Sequence, residues 1–186
     1  PIYKPFLPKQ SLKYAYDALN SKWISSHGKY LKIVQEKLQD ILNIKHVLLV
    51  NNGTSATHLL SKALKFKYSK INKIIVPGNC YIAAINSFLY DKEFELKAID
   101  ANIETWNPDY DKYLSKEKEN IAVLIVSNLG NIINVPLLKR KYPNCIFVED
   151  NCEGLFGKYE NKFSGTESLV SSISFFGNKT LLNRNY

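Results

Sequence analysis

The 186-residue sequence has no methionine, only three cysteines and three histidines, and just two arginines, Arg140 and Arg184, among its 25 basic residues. No apolar run approaches the ~20 residues that a membrane-spanning helix needs. The N-terminal stretch lacks the basic, apolar and small-residue succession of a signal peptide. These absences predict a soluble, cytoplasmic protein with no membrane partner. Cys80, Cys145 and Cys152 are odd in number and lie in or beside apolar segments, so reduced thiols are expected rather than a disulfide frame or a metal cluster. His27, His46 and His58 lack the spacing of metal ligands, and no metal site is expected. The net charge of +8 and pI of 9.2 would suit a nucleic-acid partner. Against that, the lysines are scattered, the arginines that read bases and phosphates are nearly missing, and no nucleic-acid-binding motif occurs. No nucleic acid is expected. There is no repeat, low-complexity segment or linker, so residues 1–186 read as a single domain, and a hydrophobic content of 45% supports a sizeable core.

Residues 1–8 read as an extended lead. Ser11, Leu12, Ala15 and Leu19 begin one amphipathic helix, and Tyr30, Ile33, Val34, Lys37, Leu38 and Ile41 repeat at helical spacing in a second. From His46 the pattern changes to short apolar runs alternating with helices. Strands are predicted over 46–50, 73–76, 94–99, 121–126 and 145–148, with helices over 54–65, 80–90 and near 109–114 and 136–141. A further apolar strand is predicted around Ser174-Phe175-Phe176, ending in a loop that carries Lys179. Strands too uniformly apolar to alternate, separated by helices, argue for an α/β fold: a mostly parallel sheet covered by helices on both faces. Ligand sites are then expected at the C-terminal ends of the strands.

Two such ends carry chemistry. The run Val148-Glu149-Asp150 closes a buried strand with an acidic residue, and Lys179 follows the later apolar run. An acid and a lysine are the polar groups that pyridoxal phosphate (PLP) requires: the amine attaches to the cofactor aldehyde, and the carboxylate keeps the pyridine nitrogen protonated. Taken singly, Lys179 is one of many surface charges, and Asp150 is a carboxylate at a strand end. Gly53-Thr54-Ser55 at a predicted helix start offers backbone N–H groups and two hydroxyls to a phosphate, or an ordinary N-cap at Thr54. The segment Pro77 to Ala84 reads as a turn followed by a helix with one tyrosine, Tyr81.

Taken together, these segments resemble the DegT/DnrJ/EryC1/StrS family of sugar aminotransferases. Glu149, Asp150, Glu153, Gly154, Gly157, Gly165 and Ser174-Phe175 follow that family's order up to the lysine, here Lys179. The spelling Ser174-Phe175-Phe176-Gly177-Asn178-Lys179 is similar to its perosamine-synthase-like members. Gly53-Thr54-Ser55-Ala56 resembles the family's phosphate cup, with Thr57 in place of the usual Leu. Tyr81 falls where an aromatic stacks on the PLP ring, with Cys80 and Ala84 replacing threonines. Asp100 and the run Thr105 to Asp109 resemble a family loop, as Trp23-Ile24 resembles its N-terminal turn. Glu153 replaces the usual Gln or His, and no His stands between Ser127 and Gly130.

The resemblance runs from about Pro5 to Thr180. It implies the large PLP domain of an aspartate-aminotransferase-like fold, truncated, with the C-terminal small domain absent. It also implies PLP as cofactor, held by Gly53, Thr54, Ser55, Tyr81, Asp150, Glu153, Ser174 and Lys179, with Lys179 and Asp150 catalytic. The implied reaction moves an amino group from glutamate to a keto carbon, C4 by the perosamine-like spelling, of a nucleotide-linked 4-keto-6-deoxysugar, in a homodimer. Two alternatives stand beside it. One is a catalytically inactive remnant serving as a binding or assembly subunit. The other is the related deoxysugar 3-dehydratase, whose Asp-Asn-Cys spelling matches Asp150-Asn151-Cys152 but whose lysine is replaced by histidine.

Overall fold

A computed structural model describes residues 7–23, 25–117 and 120–179. Two helices come first, α1 (Lys9–Asn20) and α2 (Lys29–Leu42). Residues 1–6 of the predicted lead, Ile24 and the end of the chain from Thr180 lie outside the described residues. Helix α3 (Gly53–Lys67) then introduces a run of strands and helices: β1 (Lys73–Pro77), α4 (Ile82–Asn86), β2 (Glu95–Ile99), α5 (Tyr110–Leu114), β3 (Ala122–Val126), α6 (Val135–Lys141) and β4 (Ile146–Asp150). A two-stranded hairpin, β5 (Lys158–Tyr159) with β6 (Lys162–Phe163), precedes β7 (Ser171–Ser172).

The main sheet has five strands in the order β2-β1-β3-β4-β7, every pairing parallel. Because side chains alternate across a strand, the apolar runs supply two cores at once. Ile74, Val76, Leu124 and Val148 meet Leu60 and Leu64 of α3 and Ala84 of α4 on one face. Ile75, Ile99, Val123, Ile125 and Phe147 meet Tyr110 and Leu114 of α5 and Val135 and Leu138 of α6 on the other. Each such aliphatic side chain contributes roughly 1.5–3 kcal/mol when fully buried. Caps fix where the short helices begin: Asn134 Oδ1 accepts from the Leu137 N–H at 2.9 Å, and Asp109 Oδ1 from the Lys112 N–H at 3.3 Å.

Three expectations are corrected. Residues 46–50 form no strand, although Val47 and Leu49 are partly buried. A strand needs a neighbouring backbone, whereas side chains of α2 take carbonyls within and just before this stretch: Gln35 Nε2 donates to Val47 O at 3.0 Å and Gln39 Nε2 to Lys45 O at 2.7 Å. The last strand is Ser171–Ser172 rather than the apolar run at 174–176, because only residues 171 and 172 lie in register with β4. Helix α4 is five residues long and gives way to turns before Tyr90, not a helix over all of 80–90. Among the described residues no helix is long and apolar enough to cross a membrane.

Candidate functional site

The register of the sheet decides which residues meet. At its C-terminal edge Val126 pairs with Asp150, and Asp150 with Ser172. The strand order also reverses at β1: the chain passes from β1 to β2 on one side of it and then crosses to β3 on the other. Such a reversal opens a crevice beyond the strand ends. An open cavity of about 1450 Å³ occupies this edge and is lined by Gly53, Thr54, Tyr81, Asp150, Glu153, Ser174 and Lys179. It exceeds the ~300–1,000 Å³ of ordinary ligand pockets because it continues along α3 beneath residues 44–50.

Asp150 is 8% exposed at the end of β4, with Oδ1 accepting from the Cys152 N–H at 3.1 Å. Burial pushes its carboxyl above the usual range, against the opposing pull of the Cys152 donors and of Lys179. The Cys152 thiol is pushed strongly upward by burial and by Asp150. The Cys80 thiol, half-buried, rises to about 11 for the same two reasons, burial being the larger. Both cysteines are therefore neutral thiols, and all three are free.

Lys179 Nζ lies 2.9 Å from Glu153 Oε1. The other carboxylate oxygen, Oε2, accepts from the Leu129 N–H at 2.8 Å. Burial opposes ionisation of Glu153, but the Lys179 ammonium and the Leu129 amide outweigh it and hold the carboxyl below its usual range. Leu129 has a left-handed backbone, φ 53°, which is uncommon for a non-glycine residue. Its amide is thereby aimed at the carboxylate that holds Lys179.

The N-terminus of α3 faces the same cavity. Asn52, not Thr54, is the N-cap, and its Oδ1 accepts from the Ser55 N–H at 2.8 Å. The amides of Gly53 and Thr54, in the first turn, have no partner within the helix. Gly53 lies so close to its neighbours that an added Cβ would sit 3.2 Å from Cys152 Sγ and 3.3 Å from Ser174 Cβ. Its lack of a side chain leaves a cradle bounded by a helix N-terminus and the Ser174 hydroxyl, the setting that binds phosphate.

Seven of the eight predicted residues thus line one cavity, and Ser55 does not. Its amide is spent on the cap, two residues before Thr57, which is buried and does line the cavity. Thr57 Oγ1 lies 2.9 Å from Ser172 Oγ, tying α3 to β7. Tyr81 is 76% exposed at the start of α4. Asn52, Cys152 and the Thr57–Ser172 pair went unrecognised from sequence. Asn immediately before Gly at a helix start is the one signal that could have flagged the cap. No grouping of His, Cys, Asp or Glu able to hold a metal occurs among the described residues.

Residues 6–183 match the sequence profile of the DegT/DnrJ/EryC1/StrS aminotransferase family. The chain is 31% identical to a GDP-perosamine synthase of Escherichia coli O157:H7 over 97% of its own length and 50% of the relative's. It is 30% identical to a GDP-perosamine synthase of Vibrio cholerae over 97% and 49%. Among solved structures it superposes on a GDP-4-keto-6-deoxymannose-3-dehydratase with a trapped PLP-glutamate geminal diamine, with a TM-score of 0.87 and 26% identity over 96% of this chain and 48% of the other. The chain therefore spans about half the length of the relatives it matches.

Proposed function

Because the chain belongs to the DegT/DnrJ/EryC1/StrS aminotransferase family, we propose that its cavity is a PLP site serving amino transfer to a nucleotide-linked keto-deoxysugar. The observation that carries this reading is the meeting, around one cavity, of the Gly53 cradle, the buried Asp150 and the paired Lys179. PLP, when bound, supplies an aldehyde that takes up amines covalently and a ring that accepts electrons. The donor set fits that group: helix amides with Thr54 and Ser174 for its phosphate, a buried carboxylate for its ring nitrogen, and a lysine amine for its aldehyde.

The chain's own residues divide the work. The Gly53 and Thr54 amides and the Ser174 hydroxyl bind and orient the phosphate, and the exposed Tyr81 ring offers a face to stack against. Asp150 holds a proton at the ring nitrogen, and the cation so formed offsets the burial that otherwise raises its carboxyl. Lys179 Nζ supplies the amine and moves protons to and from the reacting carbon as a general base and acid. Its pairing with Glu153 holds that amine in the cavity.

The similarity to GDP-perosamine synthases supports a GDP-linked 4-keto-6-deoxysugar as acceptor, with glutamate as donor. We place the protein in the cytoplasm, as a homodimer, with the exposed Leu12, Tyr16, Leu19 and Trp23 of the α1 region available for association. A lysine at position 179 disfavours the 3-dehydratase reading, since the resemblance gives those enzymes a histidine there. A span of about half the relatives' length favours one further reading: taken alone, the 186-residue chain binds cofactor without normal turnover. Borohydride reduction in the presence of PLP, followed by peptide mapping, is expected to mark Lys179 alone and to give no mark in Lys179→Ala. A label spread over many lysines, or one that survives in Lys179→Ala, refutes the site.

A further inference from the structure

The strand that delivers Ser174 and Lys179 is only two residues long, Ser171–Ser172. It pairs with β4 only at Glu149↔Ser171 and Asp150↔Ser172, and flanking backbone bonds run from the Leu169 N–H to Phe147 O at 2.9 Å, the Glu149 N–H to Val170 O at 3.1 Å and the Asn151 N–H to Ser172 O at 2.8 Å. So short a ladder fixes register weakly, and a slip of one residue turns every side chain to the opposite face. Something else must hold it.

The two residues flanking Asp150 supply that hold. By strand alternation Glu149 and Asn151 project away from the face that Asp150 presents; they are 2% and 1% exposed, and neither lines the cavity. Glu149 Oε2 accepts from the Gly165 N–H at 3.0 Å. Asn151 Nδ2 donates to Ser164 O at 2.9 Å, and its Oδ1 accepts from Ser164 Oγ at 2.7 Å. Both grip the same turn, six to seven residues before β7. The turn in turn grips the strand, since Ser171 Oγ donates to Gly165 O at 2.8 Å. Gly165 itself has φ +85°, and a Cβ there would lie 2.8 Å from Asn151 Nδ2 and 2.9 Å from Ser171 Oγ. The turn fits the clamp only as glycine.

We infer that Glu149 and Asn151 are positioning residues whose clamp on the Ser164–Gly165 turn sets the register of β7, and through it the placement of Ser174 and Lys179 opposite Asp150. Burial raises the Glu149 carboxyl above its usual range, and no ion pair to it occurs among the described residues, so a carboxyl is retained here at a cost. Its acceptor oxygen for Gly165 accounts for that retention. The inference rests on the proposed roles of Asp150 and Lys179 only for its consequence, because the clamp itself is a property of the chain without cofactor.

The test compares Glu149→Leu, Glu149→Gln and Asn151→Ala, each checked for retained secondary structure by circular dichroism. Two quantities are read: amide hydrogen exchange of the peptide spanning residues 168–176 without cofactor, and the rate of borohydride-fixed PLP incorporation at Lys179 at saturating PLP. Glu149→Leu and Asn151→Ala are expected to speed exchange and slow fixation by about tenfold or more, the scale of one lost buried acceptor. Glu149→Gln keeps an acceptor for Gly165 and is expected to stay within about threefold of wild type on both. Wild-type exchange and fixation in both truncating variants overturns the inference, as does a Glu149→Gln variant that falls as far as Glu149→Leu. If the wild-type chain takes no PLP at Lys179, the cofactor reading fails, and exchange alone decides the clamp: protection lost in the two truncating variants supports it and protection kept overturns it.

Discussion

Adding a single methyl group at Gly53 tests the phosphate cradle while sparing the fold. Gly53 is the first residue of α3 and has no positive φ, so alanine adopts its backbone conformation without strain. Replacing a helical glycine by alanine gains up to ~1 kcal/mol in helix propensity, less at a helix end. Against this stands crowding, since the new Cβ meets Cys152 Sγ at 3.2 Å, Ser174 Cβ at 3.3 Å and Ser174 Oγ at 3.4 Å. The Ser174 and Cys152 side chains yield by a few tenths of an ångström, and the two effects nearly cancel. Global stability should stay within about 1 kcal/mol of wild type. The cradle itself fills, and a phosphate loses its close approach to the Gly53 and Thr54 amides. Each charge-assisted hydrogen bond is worth ~1.5–3 kcal/mol, so losing one weakens binding roughly ten- to hundredfold. Thermal unfolding and a PLP titration followed by absorbance measure both effects on one preparation. An unchanged Tm with PLP affinity lowered at least tenfold is expected. PLP bound by Gly53→Ala as tightly as by wild type refutes the assignment of the cradle.

Three further outcomes follow from the geometry. Thr57→Val keeps shape but strands the buried Ser172 hydroxyl; a loss of ~1–3 kcal/mol is expected, read as a drop in Tm of roughly 2–4 °C per kcal/mol, and an unaltered Tm would remove the α3–β7 tie. Glu153 has a folded-state pKa below its usual value, so its contribution is complete above the ordinary glutamate range of ~4.3 and is lost as pH falls through the lower folded value; Glu153→Gln should flatten that acid limb of Tm against pH, and superimposable profiles contradict the pairing with Lys179. Asp150→Asn preserves shape but cannot hold the ring nitrogen protonated, so amino transfer, assayed at the full length of the relatives, should fall on the order of a hundredfold or more while PLP retention changes far less; equal turnover rules the role out.

What the sequence determined by itself was whatever local pattern encodes. The uniformly apolar runs at 73–76, 121–126 and 145–148 became β1, β3 and β4 within a residue or two, because burial on both faces leaves no room for polar alternation. The order of Gly53, Asp150, Ser174 and Lys179 along the chain was equally legible, as was the likeness to a family that it carries. Pairing was not. Residues 46–50 are as apolar as β1, yet Gln35 and Gln39 of α2 bond to carbonyls within and just before that stretch, while Ser171–Ser172, with no strand-like composition, became a strand because Glu149 and Asp150 lie opposite in register. The cap at Asn52 rather than Thr54, and the Lys179–Glu153 pair spanning 26 residues, depend in the same way on which atoms come into reach. A side chain's periodicity reports how its own segment meets water, but a hydrogen bond or an ion pair exists only where the rest of the chain brings a partner to within about 3 Å, and that proximity is decided by the tertiary structure.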